Sequence, residues 1–456
     1  MTNNNNDKLN KVIKSISSAG GTVFYVGGCV RDRILGKENK DIDLEIHEIT
    51  LADLKEVLLQ FGRVNEVGVS FGILKLEGLD VDFALPRKEI KVGDKHVDFE
   101  VEVDPQLGLT AAARRRDFTM NAIYENALTG EIFDPFNGIS DLNNGIINLV
   151  NEDTFVEDSL RPLRAAQLAA RLDLRVSEEV IALSKTMNFI HLSKERIAIE
   201  FQKALLSPKP SVAFKALLKM GVLDQIVPEL ANMKQVVQPI KWHPEGDVFN
   251  HTMLVIDMAA QLKDRTQNPL AFMYSALLHD VGKAATTVVH PDGKITAHKH
   301  EFVGAKMVRS TIARMTNQID FIPYIEAMVA NHMRAHKILE MRDHKIRKLM
   351  TVVPIEELLL LAVSDSNRGH GLLSAVEREK FIEKSQRIRS LEQGAPFRIV
   401  LAITGKDLIA LGMTPGPKVG TILSNLFDSQ LNGASKDELI RSAKRQVDKV
   451  NKKKIN

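Results

Sequence analysis

Cysteine is all but absent from this 456-residue chain. Cys29 alone excludes an internal disulfide framework and suits a reducing compartment. Aromatic residues make up 5% and tryptophan occurs once, so broad base-stacking surfaces are excluded. Any nucleic acid would be held chiefly through its phosphates. No long apolar run exists; the richest, Leu358 to Val363, is about a third of the ~18 residues that a membrane span needs. Met1 to Asn10 is polar and Asn-rich, without the apolar stretch of a secretory leader. An excess of one charge is also lacking: 61 Lys and Arg against 58 Asp and Glu leave +3, too little to demand a polyanionic partner. These absences lead us to expect a cytoplasmic protein with no membrane partner.

What is present is ordinary for a globular protein, with 44% hydrophobic and 26% charged residues. The length suggests about three domains at roughly 150 residues each. Up to residue 150, short β-branched runs alternate with glycine turns: Gly21 to Gly28, Ile42 to Ile46, Ile73 to Leu76 and Val81 to Leu85 read as strands, and Asp53 to Gln60 as a helix. Beyond Asp158 the pattern is helical, broken at Ser207-Pro208, Gly221 and Pro228. Ten of the thirteen histidines fall between His243 and His370. The expected architecture is an α/β head with a mixed sheet (1–150), a helical neck (151–235), a histidine-rich domain (236–373) and a helical tail (374–456). Arg114, Arg115 and Arg116 are consecutive, and Lys444 to Lys454 holds six Lys/Arg against one Asp. Such runs are commonly solvated faces.

Two motifs near the start carry chemistry. Asp41-Ile42-Asp43 lies on a short alternating strand, so both carboxylates share a face. Paired carboxylates on a strand suit Mg²⁺, which prefers oxygen ligands and serves phosphoryl transfer. Upstream, Gly27-Gly28-Cys29-Val30-Arg31-Asp32 joins a strand to a helix, where glycines allow close backbone approach to a phosphate.

The combined spacing resembles the class II tRNA nucleotidyltransferases and the related bacterial poly(A) polymerases. The resemblance implies that Gly27, Gly28 and Arg31 hold a nucleoside triphosphate and that Asp41 and Asp43 bind catalytic Mg²⁺. Asp82 is a candidate third carboxylate, with a structural role as the alternative. Arg115 to Ala122 is similar to a second family signature, which places Arg116, Asp117 and Asn121 at the nucleotide.

Glu157-Asp158-Ser159-Leu160-Arg161-Pro162-Leu163-Arg164 resembles the family's base-reading motif, on a helix where residues three apart are neighbours. The resemblance implies that Asp158 and Arg161, with Arg164 beside them, act as a protein template. Cytosine and adenine each offer an amino donor beside a ring-nitrogen acceptor; Asp158 accepts from the first and Arg161 donates to the second. Uracil and guanine would set a carbonyl oxygen against the carboxylate and be refused. The family commonly has proline directly after Glu-Asp; here Ser159 stands there and proline comes at Pro162, which bears on where the helix starts. Lys194 to Leu205 is similar to the neck helix that follows.

His251, the pair His279-Asp280 and Asp365 match the order of the HD metal-dependent phosphohydrolases, and this donor set suits a transition metal. His300 and His332 would complete a second metal site or contact phosphate. Trp242-His243-Pro244-Glu245 also resembles family members with an HD domain, certain of which show phosphatase or 2′,3′-cyclic phosphodiesterase activity. In the tail, Gly405 to Leu408 and Gly412 to Gly420 resemble the family's end segment, either a backbone contact to tRNA or a plain connector.

The resemblance implies addition of CCA to the tRNA 3′ end from CTP and ATP, with the HD domain repairing 3′-phosphate ends. The alternatives are CC-only or A-only addition, a poly(A) polymerase, or an HD hydrolase with a silent head. Oligomeric state is not legible in the sequence.

Overall fold

The structure, a computed structural model, describes residues 3–37, 42–68, 72–91, 99–367, 379, 383–384, 386–387 and 401–452. Asp41 and most of the stretch from Ser374 to 400 lie outside the described residues. The described chain forms two compact units, residues 1–232 with 313–317, and residues 233–312 with 318–456.

The first unit begins with a helix, Asn3–Ser18, despite its polar start. Leu9, Val12, Ile13 and Ile16 recur at helical spacing and are buried, which gives it one apolar face. The strands are β1 (Thr22–Val26), β2 (Ile42–His47), β3 (Val64–Gly68), β4 (Ile73–Leu76), β5 (Val81–Ala84), β6 (Arg87–Lys91), β7 (Phe99–Val103), β8 (Tyr124–Asn126) and β9 (Ile132–Phe133). Seven make one mixed sheet in the order β3-β4-β5-β2-β1-β8-β9, and β6 and β7 pair separately. The central β2 runs parallel to β5 and antiparallel to β1. Leu44 and Ile46 of β2 pack with Val12, Ile16, Leu54, Leu58 and Phe83 in the head core. The opposite face of β2 carries Asp43, Glu45 and His47, and Asp43 lies opposite Asp82 in register.

Helices Arg161–Leu172, Lys194–Leu205 and Pro210–Lys219 pack together after the head. Alanines at 165, 166, 169 and 170 keep the first of them slim, and Phe201 meets Phe214 edge-on with ring centroids 5.8 Å apart.

In the second unit, helices Val248–Leu262, Pro269–Leu278, Ile322–Ala335 and Ile355–Asn367 pack around an apolar interior. Gly282 is needed where the chain passes the helix His300–Met315, because a Cβ there would lie 2.2 Å from the His300 carbonyl oxygen. The last helices, Gly405–Ala410, Pro417–Leu431 and Lys436–Lys452, enclose a core of their own that includes Leu408, Ile422, Leu426, Leu439 and Val447. Among the described residues no helix is long and apolar enough to cross a membrane.

Candidate functional site

The turn after β1 is built for close approach. Gly27 has φ 72° and ψ −130°, a conformation that L side chains rarely adopt. A Cβ on Gly27 would lie 3.4 Å from Arg116 Nη1 and 3.8 Å from Asp43 Oδ2. The glycine turn, the exposed β2 carboxylate and a cation from the second signature therefore meet in one place. Asp82 adjoins Asp43 across the strands, and Lys75 Nζ lies 2.6 Å from Asp82 Oδ1.

Arg31 is placed otherwise than the sequence suggests. Its side chain is 3% exposed. Arg31 Nε donates to Asp32 Oδ1 (2.7 Å) and Nη1 to Asn121 Oδ1 (2.7 Å), so this cation is occupied within the protein. From Asn121 the chain of bonds continues. Asn121 Nδ2 donates to Asp117 Oδ1 (3.0 Å), and Arg164 Nε donates to Asp117 Oδ2 (2.8 Å). A polar line thus joins the glycine turn to the first neck helix. Burial would raise the Asp117 carboxyl, but the Arg164 charge, the Asn121 bond and the Arg161 charge bring it below its usual range.

Glu45, not singled out from the sequence, organises the other side. It is 1% exposed and meets Arg116 Nη2 at 2.8 Å, Tyr124 OH at 3.0 Å and His47 Nε2 at 3.2 Å. Burial opposes its charge, but the His47 bond and the Arg116 and Arg115 charges hold its pKa at about 2. The signal was present: Asp41, Asp43 and Glu45 continue one alternation.

The base-reading segment corrects one expectation. Asp158 and Arg161 do not share a helix. The helix Glu152–Glu157 ends before Asp158, which is extended at φ −114° and ψ 104°, and the next helix begins only at Arg161, with Pro162 in its first turn. Proline restrains the residue before it and suits a helix start, so the chain breaks between the two. Asp158 Oδ1 accepts from Leu160 N (3.0 Å), and both its oxygens accept from Arg196 Nη2 (3.1 and 3.0 Å), a residue of the segment that resembles the neck helix. Arg161 Nη2 donates to the Arg115 carbonyl (2.7 Å), whereas its Nη1 is buried without a hydrogen-bond partner among the described residues. A buried N–H without an acceptor is costly unless something else supplies one.

In the second unit, His251, His279, Asp280 and Asp365 are brought together, and His300 and His332 join them. His251 Nε2 is 3.0 Å from Asp365 Oδ1 and 3.7 Å from Asp280 Oδ2, and His279 Nε2 is 3.2 Å from Asp280 Oδ2. The other oxygen, Asp280 Oδ1, is 3.1 Å from His300 Nε2 and 3.8 Å from His332 Nε2. Each Nδ1 is committed to an acceptor: His279 to Ala276 O, His300 to Ala297 O, His332 to Val329 O and His251 to Glu245 Oε1. Four Nε2 atoms therefore turn toward Asp280, and His279 Nε2 is buried with no hydrogen-bond partner among the described residues.

The charges suit a metal as well. Burial works against Asp280, but Lys283 and His279 hold it well below the carboxylate range, and His251 and His336 do the same for Asp365. Burial pushes His332 down to about 3, which leaves it neutral. His251 is pushed up to about 9 against burial by Asp365 and Glu245, so a proton holds its Nε2 until a cation displaces it. The geometry groups His251, His279 and Asp280 as one candidate metal triad and Asp280, His300 and His332 as another. His336, absent from the sequence reading, closes on Asp365 Oδ2 at 2.9 Å.

A carboxylate-bearing mixed sheet with a glycine turn, followed by helices and an HD-type cluster, defines the class: a nucleotidyltransferase with an attached HD domain. Family models agree, matching the poly A polymerase head domain at residues 23–148, the probable RNA and SrmB-binding site of polymerase A at 178–234 and the HD domain at 248–366. The Multifunctional CCA protein of Nitrosococcus oceani is 33% identical over 403 residues, 86% of this chain and 93% of the relative. That of Actinobacillus pleuropneumoniae serotype 5b is 33% identical over 342 residues, 73% and 80% of the two. This chain belongs to the multifunctional CCA protein family of tRNA nucleotidyltransferases. Its fold also matches the Bacillus stearothermophilus CCA-adding enzyme in complex with CTP, at TM-score 0.66 and 18% identity over 99% of this chain and 100% of that one. The Thermotoga maritima CCA-adding enzyme complexed with tRNA has TM-score 0.57 and 19% identity, over 96% and 93%.

Proposed function

We propose that this enzyme builds the complete 3′-terminal CCA of tRNA from CTP and ATP, with Mg²⁺ held by Asp41 and Asp43. One observation carries the reading: a single polar line runs from the glycine turn through Asn121 and Asp117 to Arg164, one turn from the unpartnered N–H of Arg161. It ties a phosphate-approach site to a hydrogen-bond donor suited to a base edge. The exposed Asp43, with Asp82 beside it, offers the hard oxygen donors that Mg²⁺ takes. Bound there, Mg²⁺ supplies charge neutralisation for the attacking and leaving oxygens. The tRNA 3′-hydroxyl oxygen bonds to the α-phosphorus and gives up its proton to solvent, the bond from the α-phosphorus to the oxygen bridging to the β-phosphate breaks, and pyrophosphate leaves.

Around this chemistry the protein positions its parts. Arg116, anchored by Glu45, presents a fixed cation beside Gly27. Arg31 braces Asn121. Arg161 Nη1 donates to the ring nitrogen of cytosine or adenine, and Asp158, steadied by Arg196, accepts from the amino group. The test is extension of tRNA transcripts ending before CCA, after C and after CC, with CTP, ATP or both. Full extension that stops at CCA is expected. A halt at CC, or extension only from CC with ATP, would replace this reading with a split activity.

The histidine cluster favours a second activity, repair of 3′-phosphate ends by a transition-metal-dependent phosphohydrolase. Its support is the convergence of four Nε2 atoms on the two oxygens of Asp280. At a 3′-phosphate end water adds to phosphorus, the bond from phosphorus to O3′ breaks, a proton of that water passes to O3′ and inorganic phosphate leaves, which restores the hydroxyl that the head uses. A 2′,3′-cyclic end would first be opened by one water to a monoester. Loading the protein with Mn²⁺, Co²⁺, Ni²⁺ or Zn²⁺ and assaying phosphate release from 3′-phosphate ends, and ring opening of 2′,3′-cyclic ends, tests it; protein inert on both in every metal rejects it.

A further inference from the structure

The only tryptophan of the chain is left in water: Trp242 is 57% exposed, and Ile240 beside it is 81% exposed. Their placement is set by the two feet of the segment that carries them. At one foot, Gln238 is 7% exposed and accepts from Lys283 Nζ (2.9 Å), and the same Nζ lies 2.7 Å from Asp280 Oδ2. At the other foot, Glu245 Oε1 holds His251 Nδ1 (2.8 Å) and His243 Nδ1 (2.9 Å). The His243 ring stands edge-on to that of His251, with centroids 4.8 Å apart. Between the feet, Trp242 N and His243 N both donate to Pro239 O (2.9 Å each), which folds residues 239–243 into a tight turn. Ile240, Lys241 and Trp242 form its exposed crown, with Lys241 Nζ 5.1 Å from the indole centroid.

An arch with both feet on the histidine cluster holds its crown at the rim of that cluster. The crown offers an aromatic face and a cation, the pair that single-stranded nucleic acid calls for, one for a base and one for a phosphate. Under the arch, Gln238 Nε2 is buried without a hydrogen-bond partner among the described residues.

We propose that Trp242 is the base-stacking platform of the histidine cluster: a ribonucleotide held there lays its base on the indole and turns its phosphate toward Asp280. Lys241 steadies the neighbouring phosphate of an RNA chain. This rests on reading the cluster as a phosphohydrolase and adds the residue that recognises the base.

Because the chain has one tryptophan, its emission reports on this position alone. The full-length, metal-loaded protein is titrated with adenosine 2′,3′-cyclic phosphate while excess CTP fills the head, and hydrolysis is followed in parallel. Saturable quenching is expected, with a midpoint near the KM for hydrolysis, whereas glycerol 2-phosphate, an ester with no base, leaves the emission unchanged. Trp242→Ala should raise the ratio of nucleotide KM to glycerol 2-phosphate KM by roughly tenfold, as loss of a base–aromatic stack does, and Trp242→Phe should recover most of it. Absence of quenching overturns the platform, as does a Trp242→Ala variant whose two KM values move together or not at all. Hydrolysis without quenching removes the platform and keeps the hydrolase; quenching without hydrolysis keeps the platform and removes the hydrolase.

Discussion

Glu45 concentrates the electrostatics of the head: one buried carboxylate holds two arginines, a tyrosine and a histidine. Its pKa falls from the ordinary 4.5 to about 2. A depressed carboxylate contributes stability in full above its unfolded pKa, and loses that contribution as pH drops through the folded value. The wild type should therefore lose on the order of 3 kcal/mol from this residue between about pH 4.5 and pH 2. Glu45→Gln, followed by calorimetry across that range, should show a flatter acid limb. At neutral pH the same variant should raise the KM for CTP and ATP, because Arg116 loses the charge that anchors it; unchanged KM would mean that Arg116 needs no such anchor.

Asp158 and Arg161 permit a sharper test. Asp158→Ala removes the acceptor that separates an amino group from a carbonyl, so UTP should gain on CTP by roughly 10- to 100-fold in relative kcat/KM. Single-nucleotide incorporation measures this. Retained rejection of UTP would move base reading elsewhere, with Arg196 the first residue to examine.

At the scale of elements, the break between Glu157 and Arg161 matters most. It frees Asp158 from helical geometry and lets Arg196 of the neighbouring helix hold it. In the second unit, Gly282 does the equivalent work by letting its loop touch the helix His300–Met315 at backbone distance. Gly282→Ala should cost about 3 kcal/mol, the upper end for overpacking, since the obstructing atom is a carbonyl oxygen and not a yielding side chain. Thermal melting of the variant checks it, and the loss should be accompanied by weaker metal binding because His300 moves with that backbone.

At the scale of the molecule, the two sites lie in separate compact units, Asp43 in one and Asp280 in the other. Asp43→Asn should abolish nucleotide addition and spare metal-dependent hydrolysis, and Asp280→Asn the reverse. Chelation followed by Mg²⁺ alone should restore addition without hydrolysis, given the oxygen donors of one site and the imidazoles of the other. Loss of both activities in either variant would show that the units do not work independently.

Local pattern was enough for much of this protein. The glycine turn, the β2 alternation, the neck helices and the His279-Asp280 step are each written within a few residues, and each was legible. The first helix was not, since its asparagine-rich start hid an apolar face that only the period of Leu9, Val12, Ile13 and Ile16 reveals. What tertiary structure decided are the partnerships across long separations. Arg31 looks like a phosphate cation until Asn121, ninety residues later, occupies it. Asp158 looks like a helical neighbour of Arg161 until Arg196 claims it, and Glu45 becomes the anchor of Arg116 only when β2 and β8 flank β1 in one sheet. Sequence periodicity sets which face a side chain occupies; folding alone decides which charge from elsewhere in the chain arrives to meet it.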